Sequence, residues 1–547
     1  MNRTALPMLL GACLLLAAPV AAQGTGAEAD SIRARVNALQ RQDGDVAVLG
    51  VPLQTGTVLS RFYATRDYQP AWTAPARVDA LLEAIAASRE DGLEPRDYLL
   101  EPLRRLAPYM LAPMSSPALR ADFDLLATEA LIRLWSSLTV GKVDPATLDT
   151  TWHIPVAPLP PDVATAIEAV VTSDTMPAAI AALAPRHPIY LRLRSDLARY
   201  RALDAAGGWA PIPAGPNLEE GDRDARVPAL RRRLAMTGDI DPHAAPDTGG
   251  VVTPELAAAM ARFQARHGLH PDGVLGPRTR DALNVPVDAR IQSLRVNLER
   301  GRWVLRELGG TFVAVNIAGF ESYFVRNDTL AWQAPSIVGQ PFRQTPEFRA
   351  TMTYLVVNPT WTVPELLLDE DLFPAVRRDS TYLAAHAMQV LDRQGEVVDP
   401  ATIDWNWYRG RTFPYRIVQA PGGGNPLGRI KFMFPNPYAV YLHDTPAREL
   451  FRKPQRTFSS GCIRTEHPLA LAALLLEGSP WTAEALDSVV AAGTEQTISL
   501  PRAVPVLVLY WTAWSARDGT VQFRPDVYQR DAAVLRALDG PFHFRSP

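Results

Sequence analysis

At 547 residues the chain is too long for one ordinary hydrophobic core, and two to four domains are expected. Its composition is globular, 47% hydrophobic and 21% charged. A formal net charge of −3 at pH 7 gives no basis for a polyanion-binding surface, so nucleic acid is not an expected partner.

Residues 1–22 read as an export signal. Asn2-Arg3 supplies a positive start, Ala5 to Val20 is almost wholly apolar, and Val20-Ala21-Ala22 places small residues before Gln23. The apolar run is short for a membrane span, no later run reaches about twenty residues, and no transmembrane segment is expected. Leu10-Gly11-Ala12-Cys13 also fits a lipoprotein-processing box, with Cys13 as a lipid anchor. Cleavage after Ala22 is the preferred reading, because lipidation would leave Leu14 to Val20 as an apolar tail where a polar tether is normal.

Residues 28–205 read as helical scaffold. Val78, Leu81, Leu82 and Ile85 recur at helical spacing before the stop at Asp91-Gly92, and Phe123, Leu126, Ala130, Leu134 and Leu138 form another apolar face. Gly207-Gly208, Pro211, Pro213 and Pro216 mark a linker over residues 206–225. A small helical unit spans 226–287, with Gly268 as a helix stop, Asp272-Gly273 as a turn and Pro277 opening the next helix. His267 and His270, three apart across a glycine and without Cys or carboxylate company, read as a solvated turn rather than a metal site.

From residue 288 to 547 a mainly β body with helical additions is expected. Phe312 to Ile317, Tyr354 to Val357, Arg416 to Val418, Ile430 to Phe434 and Ala439 to Leu442 are short apolar runs bounded by Pro, Gly or Asn. Val504 to Trp511 reads as a buried strand with Pro505 near its start, where a proline is best tolerated. Helices are expected over 468–478 and 482–492. The fold class is therefore multidomain α+β.

The chain has two cysteines, Cys13 and Cys462. Once the first is removed, an exported protein cannot use the second for an internal disulfide, which makes Cys462 a candidate nucleophile. A thiolate is the attacking species, so a neighbouring base or cation is needed. His443, at the end of an apolar run, suits the role of general base and acid. The Ser460-Gly461 turn offers backbone N–H groups, Gly461 first, to a developing oxyanion, together with that of Cys462. Arg464 adds charge that favours thiolate and can hold a substrate carboxylate. Taken singly, a lone cysteine is more often a small buried hydrophobe and a lone histidine a surface or core residue; their combination carries the assignment. Gly422-Gly423-Gly424 lacks a Gly-Lys-Ser/Thr ending and leads into a strand, which rules out a phosphate cradle.

His443-Asp444-Thr445-Pro446 followed by Ser459-Ser460-Gly461-Cys462-Ile463-Arg464 resembles the signature of L,D-transpeptidases of the large periplasmic type, with a YkuD-like catalytic domain. Asn358 to Pro364, Pro421 to Gly428, Lys431 to Asn436, Phe62-Tyr63 with Pro70-Ala71-Trp72, and Asp91 to Pro95 match as well. Val227 to Leu230 with Leu234, Phe263-Gln264, Gly268-Leu269 and the Asp272-Gly273 and Gly276 turns resemble a three-helix peptidoglycan-binding domain. The resemblance implies cross-linking between diaminopimelate residues of adjacent stem peptides, through a Cys462 thioester with release of D-alanine, in the periplasm and without metal or organic cofactor. It implies stem peptides and glycan strands as partners, with peptidoglycan synthases or carboxypeptidases as further ones, and a role in wall biogenesis and cell shape. It also implies acylation by carbapenems and a weak response to ordinary penicillins. It places Ser460, Tyr441 and Trp361 beside the substrate, reserves 365–411 as a capping loop, and orients the histidine by a backbone carbonyl rather than by the Asp444 carboxylate. For Tyr441 and Trp361, core packing is the competing reading. An L,D-carboxypeptidase using water as acceptor and a non-catalytic wall-binding protein are the alternatives.

Overall fold

The computed structural model describes residues 20–41, 46–110, 112, 114–156, 159–160, 162–241 and 249–545. Residues 1–19, with most of the expected export signal and Cys13, lie outside these. No described helix is long and apolar enough to cross a membrane. The chain divides into two compact units.

The first unit is helical and is built on Pro117–Val140, a helix buried along most of its length and capped by Ser116, whose side chain accepts from the Leu119 N–H. Asp124 on this helix is fully buried. It accepts hydrogen bonds from the Tyr63 hydroxyl (2.7 Å) and from the backbone N–H groups of Ala71 (3.0 Å) and Trp72 (2.8 Å). The Trp72 indole donates to Thr128 at 2.9 Å. Burial lifts the Asp124 carboxyl to about 6 despite these donors. Tyr63, Ala71 and Trp72 are thus tied together by core hydrogen bonding, and Phe62 is buried edge to face with the Tyr63 ring.

The second unit carries a small helical body and the β body. In the former, helices Val227–Met236, Pro254–Arg266 and Pro277–Leu283 close over a core that includes Leu230, Leu234, Leu256, Met260, Phe263 and Leu283. His267 corrects the expectation of a solvated turn. It is buried, its Nδ1 lies 2.7 Å from the Phe263 carbonyl, and its ring stacks on Phe263 and Phe523. Only His270 is exposed in the expected way. The reason is helical spacing: position 267 falls one turn after Phe263, on the apolar face.

The β body is formed by β1 (Phe312–Asn316), β2 (Glu321–Arg326), β3 (Thr329–Gly339), β4 (Glu347–Val357), β5 (Ile430–Met433), β6 (Leu442–His443), β7 (Ile463–Thr465) and β8 (Gln496–Leu509). Pairing runs β5-β6-β7-β3-β2-β1-β8-β4 and returns to β5 through Ile430↔Val357, so the ring of strands closes on itself. Its apolar interior holds Val313, Val315, Val338, Leu355, Val357, Phe432, Leu442 and Ile463. Two expectations change. The run 439–442 yields only the short β6, because Asn436 Oδ1 accepts the N–H groups of Tyr438 and Val440 and so holds a turn there. Pro505 lies inside the 14-residue β8 rather than near its start, in register opposite Thr351, and it is Pro501 that falls within the register irregularity between Ser499 and Val504.

Residues 361–419, which include the 365–411 stretch expected as a capping loop, form a packed body with its own core. Its strands pair in the order Val397–Val398, Met388–Leu391, Arg416–Gln419, Trp361–Thr362. Leu368, Leu372, Phe373, Val376, Val390 and Ile417 make its core. Trp405 packs against Phe373 and Phe413, while Trp407 is 80% exposed.

Candidate active site

β6 and β7 run parallel, with Leu442 opposite Ile463 and His443 opposite Arg464. Leu442 and Ile463 point into the core. Strand alternation therefore puts His443, Cys462 and Arg464 together on the other face. β5 adds Lys431 to that face, since Lys431 pairs with His443 while its neighbour Phe432 pairs with Leu442. Apolar–polar alternation in three short strands is thus what gathers the site.

Cys462 is a free thiol with partial solvent exposure. Its Sγ donates to the Ala439 carbonyl at 3.6 Å, and Ala439 adopts the left-handed backbone (φ +53°). Burial raises the thiol above the usual range; against this, the backbone N–H and hydroxyl of Tyr441, then Arg464 and Lys431, favour the thiolate. The same contact raises the Tyr441 phenol, after burial as the larger cause. Tyr441 is therefore at the thiol, with its ring 5.6 Å from that of His443.

His443 is buried, and its Nδ1 lies 2.6 Å from the Asp444 carbonyl oxygen. A carbonyl only accepts, so Nδ1 carries the proton and Nε2 is left as the acceptor. Burial first, then Arg464 and Lys431, lower this imidazole to about 3, so it is neutral at physiological pH. The Asp444 carboxylate is occupied elsewhere: it accepts from the Arg429 N–H (2.9 Å) and from Arg448 (3.1 Å).

The turn before Cys462 depends on Gly461, whose φ of +113° is a region other residues rarely adopt. Its N–H already donates to Ser459 Oγ at 3.2 Å. Among the described residues, the N–H of Cys462 meets no protein acceptor, which leaves it open to an oxyanion. Ser460 Oγ accepts from Arg343 at 2.9 Å, and the same guanidinium pairs with Glu370 and with Asp371 (3.1 Å). Arg343 thereby ties the turn before Cys462 to the 361–419 body.

Arg464 has a buried Nε without a hydrogen-bond partner. Among the described residues, neither it nor Lys431 has a carboxylate within ion-pair distance; the Lys431 ammonium instead sits 5.1 Å over the Tyr441 ring. Two unpaired cations beside the thiol make an anion-accepting surface. Trp361, by contrast, packs against the core of the 361–419 body and makes no hydrogen bond or ring contact with the Cys462 cluster. Arg343 and Lys431 were not singled out from sequence. Lys431 carried one usable signal, being one of three lysines among 55 basic residues; Arg343 carried none.

Comparison with known proteins matches three segments of the chain to described domain families. Residues 57–197 match the model of a scaffold domain. Residues 223–283 match that described as "Putative peptidoglycan binding domain", and 310–482 that of the L,D-transpeptidase catalytic domain. A Haemophilus influenzae protein described as "Putative L,D-transpeptidase" is 38% identical over 243 residues, which is 44% of this chain and 49% of that protein. The match thus spans about half the length of this relative. Among solved structures, an L,D-transpeptidase (residues 123–326) from Xylanimonas cellulosilytica aligns at 16% identity over 54% of this chain and 99% of its own, with a TM-score of 0.18. One from Mycobacterium smegmatis aligns at 14% identity over 36% and 58%, also with a TM-score of 0.18. Residues 310–482 belong to the L,D-transpeptidase catalytic-domain family, in a chain that also carries scaffold and peptidoglycan-binding domains.

Proposed function

From that membership we propose that the protein is a periplasmic peptidoglycan L,D-transpeptidase acting through a Cys462 thioester. His443 Nε2 takes the Cys462 proton as Sγ attacks the diaminopimelate carbonyl carbon of the peptide bond to D-alanine in a donor stem. The N–H of Cys462 meets the developing oxyanion; Gly461 joins it on releasing Ser459 Oγ. The peptide C–N bond then breaks, the imidazolium returns its proton to the departing amine, and D-alanine leaves. In the second half, the side-chain amine of another stem's diaminopimelate loses a proton to His443 and attacks the thioester, and the thiol is restored. Arg464 and Lys431 pair with stem carboxylates, with Tyr441 and Ser460 at the edge of the donor pocket.

One observation carries the reading: His443, fixed as a neutral Nε2 acceptor by the Asp444 carbonyl, shares a sheet face with the partly exposed thiol of Cys462. Incubation with tetrapeptide muropeptides and mass analysis of the products tests it. Cross-linked dimer with D-alanine release from the native chain, and none from Cys462→Ala, is expected. Trimmed tripeptide without dimer would replace the transferase by a carboxypeptidase, and cross-linking by Cys462→Ala would remove the nucleophile from the assignment.

A further inference from the structure

A cavity of about 480 Å³ lies within the same unit as the Cys462 cluster and is lined by none of its residues. Its size is that of a small-molecule site. One wall is aromatic: Trp152 and Trp303 meet edge to face with centroids 5.1 Å apart, and Phe342, at the lip, is 74% exposed. The Trp152 side chain is buried, yet its indole N–H finds no acceptor in the protein. A buried donor of this kind ordinarily has a partner.

The charges of the lining are already matched. Arg530 donates to Glu347 (2.7 Å), to Gln344 (2.8 Å) and to Thr151 (2.6 Å), and its Nε lies 2.9 Å from Asp149. Arg300 is paired with Asp531 at 2.6 Å. No free cation awaits a carboxylate here, in contrast to Arg464 and Lys431 at the thiol. The cavity therefore suits an uncharged ligand with an apolar face for the rings and with hydroxyl or amide groups for the indole N–H and the Gln529 amide. That is the chemistry of an N-acetylated sugar, whose ring C–H groups stack on aromatic faces; a stem peptide, rich in carboxylates, is disfavoured.

The cavity wall is also mechanically joined to the catalytic turn. Pro341, Phe342, Gln344 and Glu347 line the cavity. From the same segment, Thr345 Oγ1 donates to the Gly461 carbonyl at 2.8 Å, and Arg343 donates to Ser460 Oγ. Tyr528, another lining residue, braces this segment by donating to the Gly339 carbonyl at 2.6 Å.

We propose that this cavity is a saccharide subsite that receives an N-acetylated sugar of the glycan strand, one loop away from the thiol that acts on its stem peptide. The inference rests on the peptidoglycan reading of the catalytic site and is tested apart from it. The probe is N,N′-diacetylchitobiose, titrated calorimetrically into the full chain carrying Cys462→Ala. Saturable binding is expected, weakened at least about fivefold by Phe342→Ser and by Trp152→Phe. Phe342 is exposed enough that its replacement leaves folding intact, as circular dichroism would check. No saturable binding up to about 10 mM, or affinity left within about twofold by Phe342→Ser, overturns the proposal; the latter places the sugar elsewhere, on the three-helix body. Displacement of the disaccharide by an unglycosylated stem tetrapeptide would assign the cavity to peptide and likewise overturn it. Cross-linking of sugar-free tetrapeptides by the native chain is scored separately. Its retention without sugar binding sinks this subsite alone, and its loss with sugar binding intact sinks the transferase alone.

Discussion

The Nδ1 of His443 hydrogen-bonds the carbonyl of Asp444, the next residue in the chain, while the Asp444 carboxylate turns away to Arg429 and Arg448. The orienting group is therefore peptide backbone, which no side-chain substitution removes. Asp444→Asn is expected to leave the acylation rate within about threefold and to lower stability by about 1–3 kcal/mol, through the buried carboxylate's lost hydrogen bonds. His443→Ala is expected to slow thioester formation by about 10²–10⁴-fold with the fold intact. Single-turnover acylation and urea denaturation measure the two effects. A collapse of rate in Asp444→Asn with an unchanged midpoint would make the carboxylate a member of the catalytic machinery.

The ionisation states of the pair set a pH profile. The thiol is raised and the imidazole lowered to about 3, so the resting pair is neutral from mildly acidic to mildly basic pH. Acylation measured as kcat/KM is expected to be flat between about pH 5 and 8, without the limb near 6.5 of an ordinary histidine. Stability follows the same shift. An imidazole held neutral in the fold binds its proton only when unfolded, between about 6.5 and 3, so stability is full above that window and falls as pH drops through it. His443→Gln should flatten this acid dependence; an unchanged acid slope would show that another group is responsible.

Much of this site was legible in the sequence because its signals were local. The Ser-Gly-Cys turn and the apolar run ending at His443 each needed only a few consecutive residues. What escaped depends on register and on distant partners. Lys431 joins the site only because β5 pairs antiparallel with β6, bringing position 431 opposite 443. Arg343 becomes a link only when residues 370, 371 and 460 converge on it. His267 was misread because its glycine neighbour suggests an open turn, whereas its place one helical turn after Phe263 buries it. The scaffold helices were visible from their periodicity, but the burial of Asp124 was not, since its donors come from positions 63, 71 and 72.

Arg464 and Lys431 make separable contributions. Both favour the thiolate of Cys462 and both are unpaired, but Arg464 presents the planar fork that fits a carboxylate. Arg464→Lys is expected to raise KM for the donor stem about tenfold or more with a smaller fall in kcat. Lys431→Met is expected to act mainly on kcat, because it removes charge beside the thiol and His443. Steady-state kinetics on the tetrapeptide donor distinguish them, and equal effects of both variants on kcat alone would argue that neither cation holds substrate.

Arg343 offers a test of how the 361–419 body is held near the thiol. Its guanidinium joins Ser460 on the turn to Glu370 and Asp371 at the base of that body, and the two carboxylates are about half exposed. With the carboxylates half exposed and the Arg343 side chain 12% exposed, such a pair contributes modestly to global stability and is weakened by salt. Arg343→Ala should therefore leave the melting temperature nearly unchanged, while amide hydrogen exchange rises over residues 365–378 and around 459–462. Raising ionic strength should reproduce part of that increase in the native chain and none in the variant. Exchange unaltered in both segments would mean that the core formed by Leu368, Leu372 and Phe373 positions the body by itself.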